Sequence, residues 1–249
     1  MATLTNYLIE YVIIFAALGI WTYLIPAGLF YWWFFMRNSS AADAMRIQER
    51  RPTAADIRRE VRDSVISLLF FSFYSLFLYQ ACKGGQTALY GKINQYPLWW
   101  VAGSFLTAMV LHDAYFYLTH RLMHTKALFA LFHSRHHKSI TPTPWAILSF
   151  QPLETIFQFG FFALLVFYIP MHPVTLLVYV LYDELVNAAG HSGHEFIPGA
   201  LKDHWLFKYS NAVTHHDLHH SRFHYNYGHY FNIWDRLMGT FLDRSTDKS

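Results

Sequence analysis

The chain has 249 residues, of which 54% are hydrophobic and only 14% are charged, and its formal charge is +3. Because soluble domains carry about 25% charged residues, this composition predicts a membrane protein with several spans, and the absence of a basic, aromatic-rich stripe argues against nucleic acid as a partner. The single cysteine, Cys82, excludes an internal disulfide and a thiolate metal site, so a bound metal would need imidazole and carboxylate ligands.

Apolar segments long enough to cross a membrane begin near the N-terminus. A span needs about 20 mainly apolar residues. The sequence predicts spans over residues 7–36, 64–82 and 97–119, the first of them bent at Pro26. A further uncharged run, residues 155–181, is interrupted by two prolines and is either two spans or one re-entrant hairpin; in both cases its ends return to the same side.

The charges between the spans predict the orientation. Residues 37–62 hold seven arginines, whereas residues 83–96 hold two lysines. Positive charge in short loops stays on the cytoplasmic side, so the arginine-rich segment is predicted to be cytoplasmic. Two further crossings then return residues 120–137 to that side, and the run at 155–181 returns residues 191–220 to it as well.

Eleven of the sixteen histidines lie in four short clusters on this predicted cytoplasmic face: His-Arg-Leu-Met-His at 120–124, His-Ser-Arg-His-His at 133–137, His-Ser-Gly-His at 191–194 and His-His-Asp-Leu-His-His at 215–220. Residues three or four apart share a helix face, and imidazole is a good ligand for Fe, Zn and Cu. About ten imidazoles exceed what one ion needs, so the spacing predicts two metal ions. The predicted ligands are His120, His124, His133, His136, His137, His191, His194, His216, His219 and His220.

Other interpretations of the histidines are weaker. The isolated residues His112, His172, His204, His224 and His229 are predicted to be hydrogen-bonding side chains rather than ligands. A polyhistidine buffer loop would be of low complexity and flanked by Gly or Ser, and these clusters are not. A His-rich metal transporter would place its ligands at mid-span, and a bis-histidine haem protein would use single histidines on facing spans.

The four clusters resemble the motifs of the fatty acid hydroxylase/sterol desaturase superfamily of membrane-bound di-iron oxygenases, over about residues 113–243. Pro-Thr-Pro-Trp at 142–145, Phe-Gln-Pro-Leu-Glu at 150–154 and Tyr-Asn-Tyr-Gly at 225–228 are most similar to C-5 sterol desaturases (lathosterol oxidases). The segment at 191–198 is more similar to C-4 sterol methyl oxidases. In this third cluster, His194, Glu195 or the more distant His215 could complete the ligand set.

The resemblance implies an O2-dependent reaction at two iron ions, which zinc could replace in purified protein. Two carboxylates are predicted to orient ligand imidazoles through their second ring nitrogens. Asp113 lies two helical turns before His120 and is expected to serve His120 or His124, and Asp217 lies within the last cluster. An external electron donor such as cytochrome b5 or a ferredoxin is implied.

These observations predict an all-α, polytopic integral membrane protein with four or five helical membrane elements and a cytoplasmic, histidine-rich di-metal cap. The chain is interpreted as one domain, 1–249, with N-terminal spans in 1–110 and a catalytic region in 111–243. Its predicted function is hydroxylation or desaturation of a membrane lipid, with a sterol favoured over a fatty acyl or sphingoid chain. The predicted location is the endoplasmic reticulum membrane in a eukaryote or the inner membrane in a bacterium.

Overall fold

The protein is helical throughout the part of the chain that the computed structural model describes, residues 3–37 and 39–244, apart from turns and two isolated bridges. The predicted all-α class is therefore confirmed. In chain order the helices are α1 (Leu4–Met36), α2 (Ser40–Met45), α3 (Ala54–Lys83), α4 (Trp99–Met123), α5 (Phe129–Phe132), α6 (Pro152–Tyr168), α7 (Pro173–Gly190), α8 (Trp205–Lys208), α9 (Val213–Arg222) and α10 (Ile233–Met238).

Helix α3 begins ten residues earlier than the predicted span at 64–82. Thr53 and Asp56 form a capping box: the Thr53 hydroxyl accepts a hydrogen bond from the Asp56 N–H at 3.2 Å, and the Asp56 carboxylate accepts one from the Thr53 N–H at 3.0 Å. At 1.5 Å per residue its 30 residues extend about 45 Å, well beyond the hydrocarbon thickness of about 30 Å. Its polar first turns, residues 54–62, therefore extend beyond the apolar part of the helix and form the end of the arginine-rich segment.

Helix α1 is irregular around the predicted bend at Pro26. The stretch Gly19–Leu24 just before this proline is a π-helix, and the Ile25 N–H bonds the carbonyl of Ile20, five residues earlier. Proline has no N–H to continue the α-helical pattern, and the wider π turn accommodates it.

The uncharged run at 155–181 forms most of a helical hairpin. Pro152 and Pro173 occupy the first turns of α6 and α7, where proline is favoured because its missing N–H needs no partner. Each helix is about 26 Å long. Within residues 3–37 and 39–244, two helices, α1 and α3, are long and apolar enough to cross a membrane, which suggests membrane association; the total of four or five membrane elements stays a prediction.

Two buried apolar clusters hold the long helices together. One contains Tyr23 and Ala27 of α1, Phe71 of α3 and Ile147 of the segment between α5 and α6. The other contains Ala108 of α4 and its neighbours on α6 and α7. Several large apolar side chains on the outer faces are more than half exposed in the isolated chain, among them Phe73, Leu106, Tyr168 and Val174. A continuous apolar exterior of this kind fits a lipid environment.

The two ends of the helix bundle differ in chemistry. At one end the arginine-rich segment meets the third histidine cluster, because the Ile47 N–H donates to Gly193 O at 2.9 Å and the Glu195 N–H donates to Met45 O at 2.7 Å. At the other end the loop after α3 packs on the α6–α7 turn, where the Tyr90 N–H donates to Met171 O at 3.1 Å. The arginines and the histidines therefore share one end.

The shared end gives a direct prediction about sidedness. In a Cys82→Ser background, single cysteines replacing Ser40 or Ser221 should react with a membrane-impermeant thiol reagent from the same side, and one replacing Gly85 from the other. The physical reason is that an arginine-rich segment is expected to stay on the cytoplasmic side of the membrane. Labelling in sealed right-side-out and inside-out vesicles measures this, and opposite sidedness of Ser40 and Ser221 would contradict the topology.

Candidate metal centre

Nine histidines converge into two adjacent groups. In each group one nitrogen from every ring lies within 4.8 Å of all the others. The five-histidine group contains His120, His124, His133, His137 and His219. The four-histidine group contains His136, His191, His216 and His220. Nine of the ten predicted ligands are thus brought together, and each group could hold a metal ion.

Each His-x-x-His-His motif contributes to both groups. In the first motif, His133 and His137 belong to the five-histidine group while His136 turns to the other. In the second, on α9, His216 and His220 belong to the four-histidine group while His219 belongs to the five-histidine group. The motif residues therefore form the wall that the groups share, and the ring centroids of His137 and His220 lie 5.0 Å apart across it.

The ring nitrogens that face inward need a cation. His120 and His133 approach through their Nε2 atoms at 2.9 Å. Both rings direct Nδ1 at an acceptor, Tyr227 O at 2.9 Å and the Glu154 carboxylate at 2.6 Å. A neutral imidazole carries a single N–H. With that proton on Nδ1, the two Nε2 lone pairs face each other, which is repulsive unless a positive ion lies beside both.

The spacing of the inward nitrogens matches ligands of a common ion. The Nε2···Nε2 contacts along the two groups range from 2.9 to 3.3 Å. Two nitrogens about 2.1 Å from one metal are about 3.0 Å apart at a right angle and about 3.4 Å apart at a tetrahedral angle. The contacting nitrogens therefore have the spacing of ligands that share one ion, and each group could hold a metal ion.

The rings are also kept in the protonation state that metal binding requires. Burial lowers the pKa of His136, His137 and His219 well below the ordinary histidine value. The cause is desolvation, which disfavours the imidazolium form, reinforced by the neighbouring rings. Neutral imidazole is the form that coordinates a metal.

A buried carboxylate, Glu154, supports the histidine groups, and the histidine spacing alone does not predict this role. Glu154, near the start of α6, is fully buried and accepts the hydrogen bond from His133 Nδ1. Its other oxygen accepts from the Gln151 N–H at 3.4 Å, which completes the helix cap. A carboxylate behind a ligand imidazole fixes the ring and raises its basicity. Its position in the Phe-Gln-Pro-Leu-Glu motif was the available signal.

Backbone carbonyls orient three further ligands. Tyr227 O accepts from His120 Nδ1, Tyr225 O accepts from His219 Nδ1 at 2.7 Å, and Asn187 O accepts from His191 Nδ1 at 2.9 Å. Among the described residues, the buried Nδ1 atoms of His137 and His220 have no hydrogen-bond partner. Carbonyl partners carry no side-chain signature, so no sequence pattern could have identified them.

The two predicted carboxylates have different roles from those expected. Asp113 does not bond a ligand imidazole; its Oδ1 accepts from the N–H groups of Tyr230 and Phe231 at 2.7 and 3.1 Å. Asp113 and His120 lie two turns apart on α4, but the Asp113 carboxylate bonds the loop after α9 and not a ligand ring. Asp217 faces away from the metal groups and accepts from Gln48 Nε2 at 2.9 Å.

The loop that supplies the carbonyls is anchored by a second aspartate, Asp235 of α10. Its carboxylate accepts from the N–H groups of Tyr227 and Gly228 at 2.9 and 2.8 Å, and from the Thr240 hydroxyl at 2.7 Å. Gly228 is required at this point because a Cβ would lie 2.2 Å from the carbonyl oxygen of Phe231. Asp113 and Asp235 therefore act on the ligands indirectly, by fixing the loop.

Replacing Asp235 by asparagine should destabilise the loop. The amide retains one acceptor oxygen, but its NH2 group would face a backbone N–H, and a buried unsatisfied donor costs about 1–3 kcal/mol. We expect a lower melting temperature of the metal-loaded protein, measured by thermal unfolding. Asp203→Asn, at an exposed position, is the control, and equal melting temperatures for the two variants would contradict the assigned role.

The third histidine cluster contributes one residue to the metal groups. His194 lies outside both: its ring stacks on Phe34 with centroids 4.4 Å apart, and its Nδ1 donates to Ser192 O at 2.6 Å. Gly193, in the left-handed conformation at φ 66°, turns the chain away after His191. The two alternatives to His194 are also engaged elsewhere. Glu195 accepts from the Thr214 hydroxyl at 2.6 Å, and His215 Nδ1 accepts from the Ala212 N–H at 3.1 Å.

Histidines predicted to be bystanders lie outside the two groups. His112 is buried, stacks on Phe161 and hydrogen-bonds the Tyr179 hydroxyl at 2.7 Å. His229 hydrogen-bonds Asp183 at 2.8 Å. His172 caps α7, where its Nδ1 accepts from the Val174 N–H at 3.2 Å.

Two adjacent cavities lie beside the histidine groups. The larger, about 270 Å³, is almost entirely apolar and lies between α1, α3, α6 and α7. The smaller, about 60 Å³, is lined by ligands of both groups, including His133 and His136. The cavities share five lining residues: Phe71, Leu148, Phe159, Phe162 and Glu184. The larger, apolar cavity therefore lies directly beside the cavity at the histidines, with these five side chains between them.

Comparison with known proteins points to one family. The model of the fatty acid hydroxylase family matches residues 105–240, which contain all nine converging histidines. The chain is 30% identical to a Delta(7)-sterol 5(6)-desaturase of Gibberella zeae over 88% of its own length and 64% of the relative's. It is 31% identical to lathosterol oxidase of Rattus norvegicus over 76% and 62%, and 30% identical to sphinganine C4-monooxygenase 1 of Arabidopsis thaliana over 76% and 70%.

The chain spans less than two-thirds of the length of the first two of these relatives. No solved structure matches it significantly.

Proposed function

Because the chain belongs to the fatty acid hydroxylase superfamily, we propose that it is a di-iron oxidoreductase that uses O2 to hydroxylate or desaturate a membrane lipid. The observation that carries the proposal is the pair of adjacent, buried, all-histidine groups at the end of an apolar cavity. Metal ligands explain the inward nitrogens, and a lipid explains the apolar walls. The metal groups alone or the apolar cavity alone would fit several functions, but the presence of the two side by side favours oxidation of a lipid.

Iron bound at the two groups would supply the strongly oxidising oxygen chemistry that an unactivated C–H bond requires. The chain's own residues prepare the site for it. Glu154 and the Tyr225 and Tyr227 carbonyls hold the ligand rings in one tautomer and one orientation. The walls at Phe159 and Phe162 exclude water from the space in which the substrate carbon would lie.

A sterol is the favoured substrate class. Support comes from the relatives named as sterol 5(6)-desaturase and lathosterol oxidase and from the residues at 142–145 and 150–154. The alternative is a sphingoid or fatty acyl lipid, which the similarity to sphinganine C4-monooxygenase supports. We further propose that electrons come from an external donor such as cytochrome b5 or a ferredoxin, and that the metal centre faces the cytoplasm.

A metal transporter is the competing class of function. Transporters place their binding site near the middle of the membrane between discontinuous helices. Here the ligands come from the last turn of α4, the end of α7, α9 and the loop around His133. This concentration at one end of the bundle favours a fixed metal centre over a transport path.

Lipid mass spectrometry of cells with and without the protein, grown under 18O2, tests the proposed function. A new lipid that carries the label indicates hydroxylation, and one that has lost two hydrogens indicates desaturation. Cells producing His219→Ala at the same level are the control and should match cells without the protein. Identical lipid profiles for wild type and His219→Ala would contradict the proposal.

A further inference from the structure

One carboxylate in the apolar cavity has no role in the metal centre. Glu184 lines both the larger cavity and the smaller cavity at the histidines. Among the described residues, the one hydrogen bond to its carboxylate is long, 3.5 Å from Asn187 Nδ2. Its neighbour Asp183, by contrast, accepts from the Tyr230 hydroxyl and His229. A polar group in apolar surroundings is costly unless it has a hydrogen-bonding partner.

The position of Glu184 on α7 relates it to both the cavity and the metal centre. Leu176, Val180, Glu184, Asn187 and His191 follow one another at spacings of three or four residues, which places them on one face of the helix. The first two line the apolar cavity, and the last is a ligand of the four-histidine group. Along this face the surface therefore changes from apolar wall to carboxylate to metal centre.

The shape of the cavities limits how a lipid can lie in them. On α3 the larger cavity extends from Leu68 to Cys82, about 21 Å along the helix axis. Beyond Glu184 the smaller cavity measures about 60 Å³, compared with about 270 Å³ for the larger cavity. Most of the apolar space therefore lies before Glu184, and the space between Glu184 and the histidines is small.

We propose that Glu184 binds a hydroxyl group of the lipid substrate and thereby selects lipids whose oxidised carbon lies within a few bonds of that hydroxyl. The hydroxyl donates a hydrogen bond to the Glu184 carboxylate at the junction of the two cavities. The apolar body of the lipid extends away from the metal centre, toward Leu176 and Cys82. A lipid oxidised in the middle of an acyl chain has no hydroxyl at this point and would leave the carboxylate without a partner.

This inference rests on the proposed function, but a binding experiment tests it separately. Full-length protein loaded with zinc is incubated with tritiated lathosterol or with its 3-O-methyl ether, which cannot donate a hydrogen bond. We expect wild type to bind the alcohol at least about tenfold more tightly, the effect of one hydrogen bond to a buried carboxylate. Glu184→Leu should bind both compounds with equal affinity.

A matched control distinguishes the hydrogen bond to Glu184 from a general change in the lining of the cavity. Val180→Ala, one turn earlier on the same face, should weaken binding of both compounds and leave their ratio unchanged. Should Glu184→Leu fail to fold, Glu184→Gln carries the test, since an amide oxygen accepts more weakly than a carboxylate and should reduce the preference. In turnover of iron-loaded protein, the Glu184 variants should raise KM more than they lower kcat.

Three results would overturn the anchor. They are equal affinity of wild type for the alcohol and the ether, a full preference retained in Glu184→Gln, and no binding of lathosterol by wild type. If 18O2 lipid analysis instead found an oxidised mid-chain acyl carbon, the proposed oxidation of a lipid would stand while the hydroxyl anchor would fail.

Discussion

His219→Ala is expected to abolish lipid oxidation and to lower the metal content from about two ions per chain to about one. His219 Nε2 lies 3.0 Å from His137 Nε2 within the five-histidine group, and its Nδ1 is fixed by Tyr225 O. Removing it deletes one ligand and opens a buried space that alanine does not fill. Elemental analysis of purified protein and product formation in cells measure the two effects.

The two groups make the test specific to position. His136→Ala should produce the same loss of activity by removing a ligand from the four-histidine group instead. His172→Ala is the control, since His172 caps α7 outside the two groups, and it should keep both ions. If His172→Ala lost as much metal as His219→Ala, the assignment of ligands would be wrong.

Glu154→Gln is expected to reduce metal affinity or activity by about 10–100-fold, the range typical for a group that orients a ligand imidazole. The amide keeps the size of the side chain but replaces a charged acceptor, which lies 2.6 Å from His133 Nδ1. The measurement is competition for the bound metal with a chelator of known affinity, together with the rate of product formation.

Glu60→Gln provides a matched control for Glu154→Gln. Glu60 of α3 is also fully buried and also accepts a 2.6 Å hydrogen bond, but its partner is the Thr143 hydroxyl rather than a histidine. Its replacement should affect stability and leave metal affinity unchanged. Equal loss of metal affinity in the two variants would indicate that Glu154 acts through general stability and not through His133.

The sequence predicts the helices and most of the ligands because these depend on local spacing. His-x-x-His-His on α9 brings the rings of His216 and His220 together whatever the rest of the chain does, and the arginine-rich segment is found at the same end as the histidines. The early start of α3 also has a local signal, because Thr53 at the N-cap and Asp56 three residues later form a capping box.

What the sequence did not reveal depends on contacts between distant segments. The division of each His-x-x-His-His motif between two groups requires α4, α7 and α9 to meet. His194 has ligand spacing, but Phe34 of α1 stacks on its ring. Asp113 has the helical phase of a supporting carboxylate, but it accepts a hydrogen bond from the Tyr230 N–H instead. Glu154, from another helix, supports His133.

The number of metal ions per chain tests the central claim most directly. Purified protein is saturated with ferrous iron in the absence of oxygen, freed of loosely bound ions, and analysed for iron by mass spectrometry and for protein by amino-acid analysis. Two adjacent, buried, all-histidine groups predict two iron ions per chain. One ion per chain, or none, in fully loaded wild-type protein would contradict a di-metal centre.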